Sequence, residues 1–169
     1  RWYAGAGIYR HVWLIKTPQL HLDNWRNFVH TSEVSASKAT VNIETLIKNE
    51  WKKKSEGEVS VLIYDKQGNL VASDKQTINI AKNSAENVNF QLQLDNPQLW
   101  SPESPYLYKA VVNVKNTKDN MSDQIETRFG VRTLEFSAEK GFLLNGKSIL
   151  LQGGCIHHDN GLLGAAAYD

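Results

Sequence analysis

The feature that most constrains the fold is a strict alternation of apolar and polar residues, repeated in separate segments between residues 20 and 132. The clearest segment is 41–47, which reads Val-Asn-Ile-Glu-Thr-Leu-Ile. Because successive side chains of a β-strand point to opposite faces, a period of two predicts strands with one buried face. No segment in this region has the period of about 3.6 residues that marks an amphipathic helix. The sequence therefore predicts an all-β fold with antiparallel strands.

The number of segments with strand character indicates the architecture. They lie at residues 25–32, 41–47, 59–63, 70–80, 88–94, 106–114 and 125–131. About seven strands over about 110 residues are typical of an immunoglobulin-like sandwich, in which two sheets pack through their apolar faces. We therefore predict an immunoglobulin-like antiparallel β-sandwich.

Three prolines surround Trp100 in the connection that precedes segment 106–114. Pro97, Pro102 and Pro105 cannot extend a central strand, because proline has no backbone N–H to donate to the ladder. We expect the Trp100 ring to close one end of the sandwich. The functional alternative is that the ring forms a platform on which a sugar stacks.

Composition excludes several classes of function. The chain has 169 residues and a formal net charge of +1. This charge argues against a nucleic-acid partner, because a phosphate-binding surface shows as a clear basic excess. No apolar run approaches the roughly 18 residues that span a bilayer, so we expect no membrane partner. The single cysteine, Cys155, cannot form an internal disulfide and leaves the redox compartment open.

Residues 144–159, which read LNGKSILLQGGCIHHD, carry the groups most suited to a ligand. Asn145-Gly146 fits a two-residue type I′ turn, so residues 142–144 should pair with residues 148–151. An apolar strand over 148–156 should then lead to His157, His158 and Asp159. Gly153 and Gly154 lack a Cβ where a backbone or ligand must come close. Polar residues just past a buried strand lie where α/β barrels keep their active sites.

Four motifs place the chain beside a known family. They are GAGIYRHV at 5–12, LWSPESPYLY at 99–108, RFGVR at 128–132, and NGK at 145–147 with the following residues to 165. In order and spacing they resemble glycoside hydrolase family 2, which includes β-galactosidases, β-glucuronidases and β-mannosidases. The resemblance covers essentially the whole chain.

The resemblance implies three parts. Residues 1–16 would be the C-terminal remnant of a jelly-roll sugar-binding domain, although a first strand of the sandwich is the alternative. Residues 17–132 would be the immunoglobulin-like sandwich, a structural spacer. Residues 133–169 would be the start of a truncated TIM-barrel, or (β/α)8, catalytic domain.

The resemblance also implies the chemistry of the full-length parent, a retaining β-glycosidase for terminal β-linked sugars, with β-galactosides as the first choice. Retaining hydrolysis needs two carboxylates about 5 Å apart, and the family carries both as glutamates on later barrel strands. Glu103 lies in the sandwich connection, and Glu126, Glu135 and Glu139 precede the barrel. We therefore expect no catalytic residue in this chain and no activity from it alone.

His157 matches the family's histidine after the first barrel strand, which contacts sugar hydroxyls. A neutral imidazole offers one donor and one acceptor, which suits that contact. On an extended backbone Asp159 shares a face with His157 and His158 does not, so we expect substrate binding by His157, Asp159 and His158 in that order. The alternative is a structural histidine. Many members have Arg-His-Glu where this chain has Ile156-His157-His158, so the sugar specificity does not carry over.

Cofactor and partner expectations follow. Adjacent histidines seldom converge on one ion and a zinc site needs at least three protein ligands, so we expect no metal at residues 157–159. We expect no cofactor in this chain, whereas a divalent cation elsewhere in the full-length enzyme stays open.

Cys155 should be a small packed residue. The resemblance implies a β-glycoside or oligosaccharide substrate and a homo-oligomer. The cellular location stays open, with a periplasmic or secreted location favoured over a cytoplasmic one.

A rival hypothesis comes from a different class of function. A freestanding β-sandwich could bind carbohydrate or protein without catalysis. Such a module has no need of an apolar strand over 148–156 followed by a Gly-rich polar loop. That tail favours the enzyme.

Overall fold

The structure, a computed structural model, describes residue 8 and residues 11–155. Within these residues every regular element is a β-strand, and no helix is long and apolar enough to cross a membrane. One compact unit comprises Thr17–Ile149, and a second comprises Arg1–Lys16 with Leu150–Asp169. The first unit therefore includes residues 133–149, which we assigned to the start of the barrel; the domain bounds stay a prediction.

Seven strands build the main body of the first unit. They are β1 (Leu20–Ser32), β2 (Lys38–Asn49), β3 (Ser55–Tyr64), β4 (Leu70–Ile80), β5 (Ser84–Asp95), β6 (Tyr108–Asn116) and β7 (Ser122–Phe129). They form a three-stranded sheet in the order β1-β2-β5 and a four-stranded sheet in the order β4-β3-β6-β7. All pairings in both sheets are antiparallel. The predicted immunoglobulin-like sandwich is confirmed.

The core lies between the two sheets and comes from the alternation in the sequence. Most of the fully buried side chains are those of the apolar positions, including Val41, Ile43 and Ile47 on β2 and Val59, Val61 and Ile63 on β3. Burying one such side chain stabilises the fold by about 1.5–3 kcal/mol. Val131, predicted to continue β7, instead forms an isolated parallel bridge with Leu99.

Strand β1 is longer than the sequence predicts. It starts at Leu20 rather than near Trp25, and its pairing with β2 shifts register between Leu22 and Asn27. The backbone N–H of Trp25 donates to Asp23 Oδ1 at 2.9 Å within this irregular stretch. A bulge breaks the period of two, which explains why the alternation does not reveal the first half of the strand.

A third sheet follows the sandwich in the same compact unit. It contains β8 (Leu134–Ser137), β9 (Gly141–Leu144) and β10 (Lys147–Ser148) in the order β10-β9-β8. Between β9 and β10, Asn145 and Gly146 have φ angles of 51° and 75°. Two consecutive residues with positive φ are the mark of a type I′ turn, so the predicted hairpin is confirmed.

The predicted strand over 148–156 is wrong for its described part. Pairing ends at Ser148 opposite Leu143, followed by one hydrogen bond from Ile149 N to Phe142 O. Residues 150–155 form no strand, and Leu150 and Leu151 are 82% and 67% exposed. A barrel strand is held by ladders to a neighbour on each side, and no described strand pairs with these residues.

A strand within residues 1–16, whether the remnant of a jelly-roll domain or a first strand of the sandwich, is also not found in the described part of that segment. Residue 8 and residues 11–16 contain no regular element, and Trp13 and Leu14 are exposed. The physical reason is the same, because none of the described strands offers them a ladder.

Candidate functional site

The three residues predicted to bind substrate, His157, His158 and Asp159, lie outside the described residues. Their roles stay predictions. The described segment before them ends at Cys155, which is exposed rather than packed as predicted, because the surrounding described residues form no element that could bury it. No described atom lies within 4 Å of the Cβ positions of Gly153 and Gly154. A ligand role for these glycines therefore also stays a prediction.

What the described residues do show is how the chain entering the predicted site is anchored to the sandwich. We call this anchor the joint, and define it by Trp100, Gly130, Arg132, Thr133 and Asn145. Asn145 Nδ2 donates to Trp100 O at 3.0 Å, and Thr133 N donates to Asn145 Oδ1 at 3.0 Å. Asn145 N donates to Thr133 O, also at 3.0 Å. One asparagine thus satisfies groups on two other segments while it forms the hairpin turn.

Trp100 is the centre of the joint. Its backbone N donates to Val131 O at 2.8 Å. Its side chain lies against Gly130 so closely that a Cβ on Gly130 would fall 2.7 Å from Trp100 Cβ and 2.8 Å from Cγ. The Arg132 guanidinium lies 5.0 Å from the ring centroid, a cation–π distance. These contacts favour a structural role for Trp100 over a sugar platform.

Glu103, in the same connection, is the described glutamate nearest in sequence to Trp100. The backbone N–H of Glu103 itself and the Ser101 hydroxyl hold the pKa of the Glu103 carboxyl below its usual value. A carboxyl with a lowered pKa is a poor general acid at neutral pH, because the proton it would donate is already lost. The lowered pKa therefore bears only on the acid role, and the expectation that Glu103 has no catalytic role stays a prediction.

Sequence reasoning singled out Asn145 for its turn and Trp100 for closing one end of the sandwich, but it missed that these two residues are hydrogen-bonded. The contact joins residues 45 positions apart, and alternation and turn signals carry no information about it. The one sequence signal for the joint was that Trp100 and Arg132 belong to the family motifs at 99–108 and 128–132.

Beside the joint lies an open concavity of about 600 Å³, with Phe28 and His30 of β1 on one side and Arg132 and Leu134 on the other. No group of three or more His, Cys, Asp or Glu residues within the described part of the chain is arranged to hold a metal ion. The concavity therefore offers apolar, imidazole and guanidinium groups for a ligand.

Comparison with known proteins agrees with the motifs. The model of the family described as glycosyl hydrolases family 2 matches residues 20–132. The chain is 39% identical to β-galactosidase BoGH2A of Bacteroides ovatus over 98% of its own length, and spans 19% of that protein. It is 33% identical to a putative β-glucuronidase of Formosa agariphila, covering 98% of this chain and 15% of the relative.

A solved structure of a member of the same family is similar to this chain over nearly its whole length. The family 2 glycosyl hydrolase of Bacteroides cellulosilyticus superposes with a TM-score of 0.89 at 42% identity, covering 99% of this chain and 23% of that one. The chain thus spans about a fifth of these proteins. Because the family model covers the sandwich and the relatives cover nearly the whole chain, the chain belongs to glycosyl hydrolase family 2.

Proposed function

We propose that the whole protein containing this chain is a retaining β-glycosidase that hydrolyses terminal β-linked sugars, with a β-galactoside as the first substrate to test. The observation that carries the proposal is the 39% identity to a β-galactosidase over 98% of this chain. The relative at 33% identity bears the name of a β-glucuronidase, so glucuronides are the second substrate to test.

The chemistry needs a pair of carboxylates about 5 Å apart, one as acid and base and the other as nucleophile. In this proposal both come from barrel strands that follow the chain. The proposal gives Glu103 neither role, because it precedes the barrel in the sequence. The 169-residue chain alone is therefore inactive, and its contribution to the site is substrate binding by His157, Asp159 and His158.

The sandwich acts as a spacer in this proposal. The hydrogen bonds from Asn145 to Trp100 and Thr133 tie the β9–β10 hairpin to the sandwich. Because the proposed barrel begins with this hairpin, its first residues start from a fixed position. Fixing a binding group in advance lowers the entropy cost of holding the substrate in a reactive geometry.

Further properties of the whole protein belong to the same proposal. It is a homo-oligomer in the periplasm or outside the cell, with neither nucleic acid nor membrane as a partner. Its ligand is a β-glycoside or oligosaccharide. If it holds a divalent cation, the ligands come from elsewhere in the protein, because the described residues contain no suitable cluster.

The test is a hydrolysis screen of the full-length protein against aryl β-galactoside, β-glucuronide and β-mannoside. The variant His157→Ala should lower kcat/KM for the preferred substrate by roughly 100-fold, because it removes a hydrogen bond that strengthens in the transition state. His158→Ala should lower it less, because on an extended backbone His158 would point to the face opposite His157 and Asp159. A folded protein that hydrolyses none of the three would instead support the non-catalytic binding module.

A further inference from the structure

The outer face of the β1-β2-β5 sheet carries an unusual combination of side chains. We call it the outer patch; its members are Phe28, His30, Asn42, Glu44, Asn89 and Gln91. The strand register places them in two rows, one running Phe28, Glu44 and Asn89 and the other His30, Asn42 and Gln91. They face away from the core, because they alternate on β2 with the buried residues Val41 and Ile43.

The aromatic part of the outer patch is held in place. Phe28 is 58% exposed, and its ring stacks on the His30 ring at 5.0 Å between centroids, with 24° between the planes. A large aromatic ring on a surface strand normally packs against neighbouring side chains, which reduces its solvent-exposed area. Here the ring is fixed by one neighbour and still offers apolar surface to a ligand.

The polar part combines fixed and free groups. Gln91 Nε2 donates to Asn42 Oδ1 at 3.2 Å, and Asn42 Nδ2 donates to Ser32 Oγ at 2.8 Å, which fixes these two amides. Glu44 and the side chain of Asn89 make no hydrogen bond or ion pair within the described residues. His30 Nδ1 is buried and has no hydrogen-bond partner there. The Glu44 carboxylate and the Asn89 amide are therefore available to a ligand, whereas the buried His30 Nδ1 is not.

Two concavities meet on the outer patch. One, of about 320 Å³, is lined by His30, Asn42, Glu44, Asn89 and Gln91 together with Ile43 and Phe90. The other is the concavity of about 600 Å³ beside the joint, and His30 lines both. Because His30 lines both concavities, together they suit an extended ligand better than a single small molecule.

We propose that the outer patch is an accessory binding site for an oligosaccharide. Sugar rings present C–H faces that pack on an aromatic ring, and hydroxyl groups that both donate and accept hydrogen bonds. Phe28 supplies the first contact, and the Glu44 carboxylate and the Asn89 amide supply the second. The outer patch shares no residue with the predicted cleavage subsite at His157, so the inference goes beyond the proposed hydrolysis and holds for any cleaved sugar.

The same residues argue against other occupants. The Glu44 carboxylate repels phosphate, which disfavours a nucleic acid. The core of a stable protein interface is depleted in charged groups and enriched in aromatic and apolar ones, whereas the outer patch has one exposed large apolar side chain among amides and a carboxylate. A second copy of the chain therefore fits less well than a sugar chain, and the experiment separates the two.

The test is a titration of the ¹⁵N-labelled chain with tetrasaccharides of β-linked galactose, mannose and glucose, followed by amide chemical shifts. We expect saturable shifts confined to residues 28–32, 42–46 and 87–91 for at least one probe. Phe28→Ala removes the aromatic contact and should weaken binding about tenfold. The isosteric Glu44→Gln should weaken it less, because it replaces a charge-assisted hydrogen bond by a weaker neutral one. Phe136→Ala, at a phenylalanine on β8 that is also exposed (78%), is the control and should leave binding unchanged.

Three results would overturn the inference. The first is no saturation with any probe by a folded chain, and the second is equal binding by wild type, Phe28→Ala and Glu44→Gln. The third is a dimer in sedimentation that Phe28→Ala dissociates without any effect of sugar, which would assign the outer patch to a second copy. In the full-length protein, Phe28→Ala should leave aryl-glycoside hydrolysis unchanged. If the protein binds the tetrasaccharide but hydrolyses none of the glycosides, the result supports this inference and contradicts the proposed function.

Discussion

Asn145 Nδ2 donates to the backbone oxygen of Trp100 across 45 positions of sequence, while Asn145 itself holds a φ angle of 51° in the hairpin turn. The residue therefore has two separable tasks. Its backbone adopts a conformation that most L-residues avoid, and its side chain joins the turn to the sandwich. Glycine can perform the first task only, and alanine performs neither.

This separation predicts an order of stability. Asn145→Gly should lower the free energy of unfolding by about 1–2 kcal/mol, because two side-chain hydrogen bonds are lost. Asn145→Ala should cost about 1 kcal/mol more, because positive φ is strained for a residue with a Cβ. Urea unfolding measures both. The control is Asn120→Gly, since Asn120 has a φ of 57° but no side-chain hydrogen bond among those described; a loss there as large as at Asn145 would contradict the account.

Gly130 makes the second prediction, because the Trp100 side chain occupies the space a Cβ would need. Gly130→Ala places the new Cβ 2.7 Å from Trp100 Cβ and 2.9 Å from Cδ1, so the tryptophan or the strand must move. We expect a loss of about 2 kcal/mol in unfolding free energy, the usual cost of overpacking. Gly153→Ala is the control, with no described atom within 4 Å of its Cβ, and should be neutral. Equal effects of the two substitutions would mean that Trp100 does not press on Gly130.

Much of the sandwich could be predicted from the sequence, because burial of one face of a strand makes apolar residues recur at every second position. The alternation of residues 41–47 gives both the strand and its buried side. The bulge at Leu22 to Asn27 could not be predicted in this way, since an inserted residue reverses the faces. The hairpin at Asn145-Gly146 was predictable because positive φ at two residues selects few amino acids.

The joint and the extent of the last strand were not predictable, for a different physical reason. Apolar residues 149–151 have strand character, yet a strand exists only where another offers hydrogen bonds, and none of the described strands does so beyond Ser148. Likewise, the residues that neighbour Trp100 and Asn145 in the sequence give no sign that these two residues form a hydrogen bond with each other. The candidate site residue His157 was predicted from family motifs alone, and it lies outside the described residues.

Two buried threonines on β2 provide the third prediction, because they have equal burial and opposite hydrogen bonding. Both are 1% exposed. Thr45 Oγ1 has no hydrogen-bond partner among the described residues, whereas Thr40 Oγ1 donates to Glu33 Oε2 at 3.0 Å and accepts from Gln93 Nε2 at 2.8 Å. A buried polar group without a partner costs about 1–3 kcal/mol in protein mutational data.

Thr45→Val should therefore raise the free energy of unfolding by about 1 kcal/mol, since valine has the same shape and no hydroxyl to desolvate. Thr40→Val should lower it by about 1–2 kcal/mol, because it breaks two hydrogen bonds. Chemical denaturation of the two variants and wild type measures both changes in unfolding free energy, which should have opposite signs. A destabilised Thr45→Val would show that its hydroxyl has a partner, such as a buried water.

Asp23 makes a prediction about pH. Its carboxylate contacts Lys48 Nζ at 2.6 Å and accepts from Trp25 N at 2.9 Å, and these bonds, the one to Lys48 first, lower the pKa of Asp23 below its ordinary value. A carboxyl with a lowered pKa in the folded state stabilises the fold above its unfolded pKa of 3.8, and this contribution is lost as the pH falls through the folded value. The pair is near the surface, so we expect no more than about 1 kcal/mol.

Asp23→Asn tests this, because asparagine keeps an acceptor for Trp25 N and loses the charge. The variant should be less stable than wild type near about pH 6, and the difference should shrink as the pH falls through the lowered folded-state pKa of Asp23. Lys48→Met should reproduce most of the difference, and the double variant should add little to either single one, since both remove the same pair. Thermal unfolding across this range measures the effect. A difference between wild type and Asp23→Asn that stays constant down to the lowest pH would assign the contribution of Asp23 to its turn rather than to its charge.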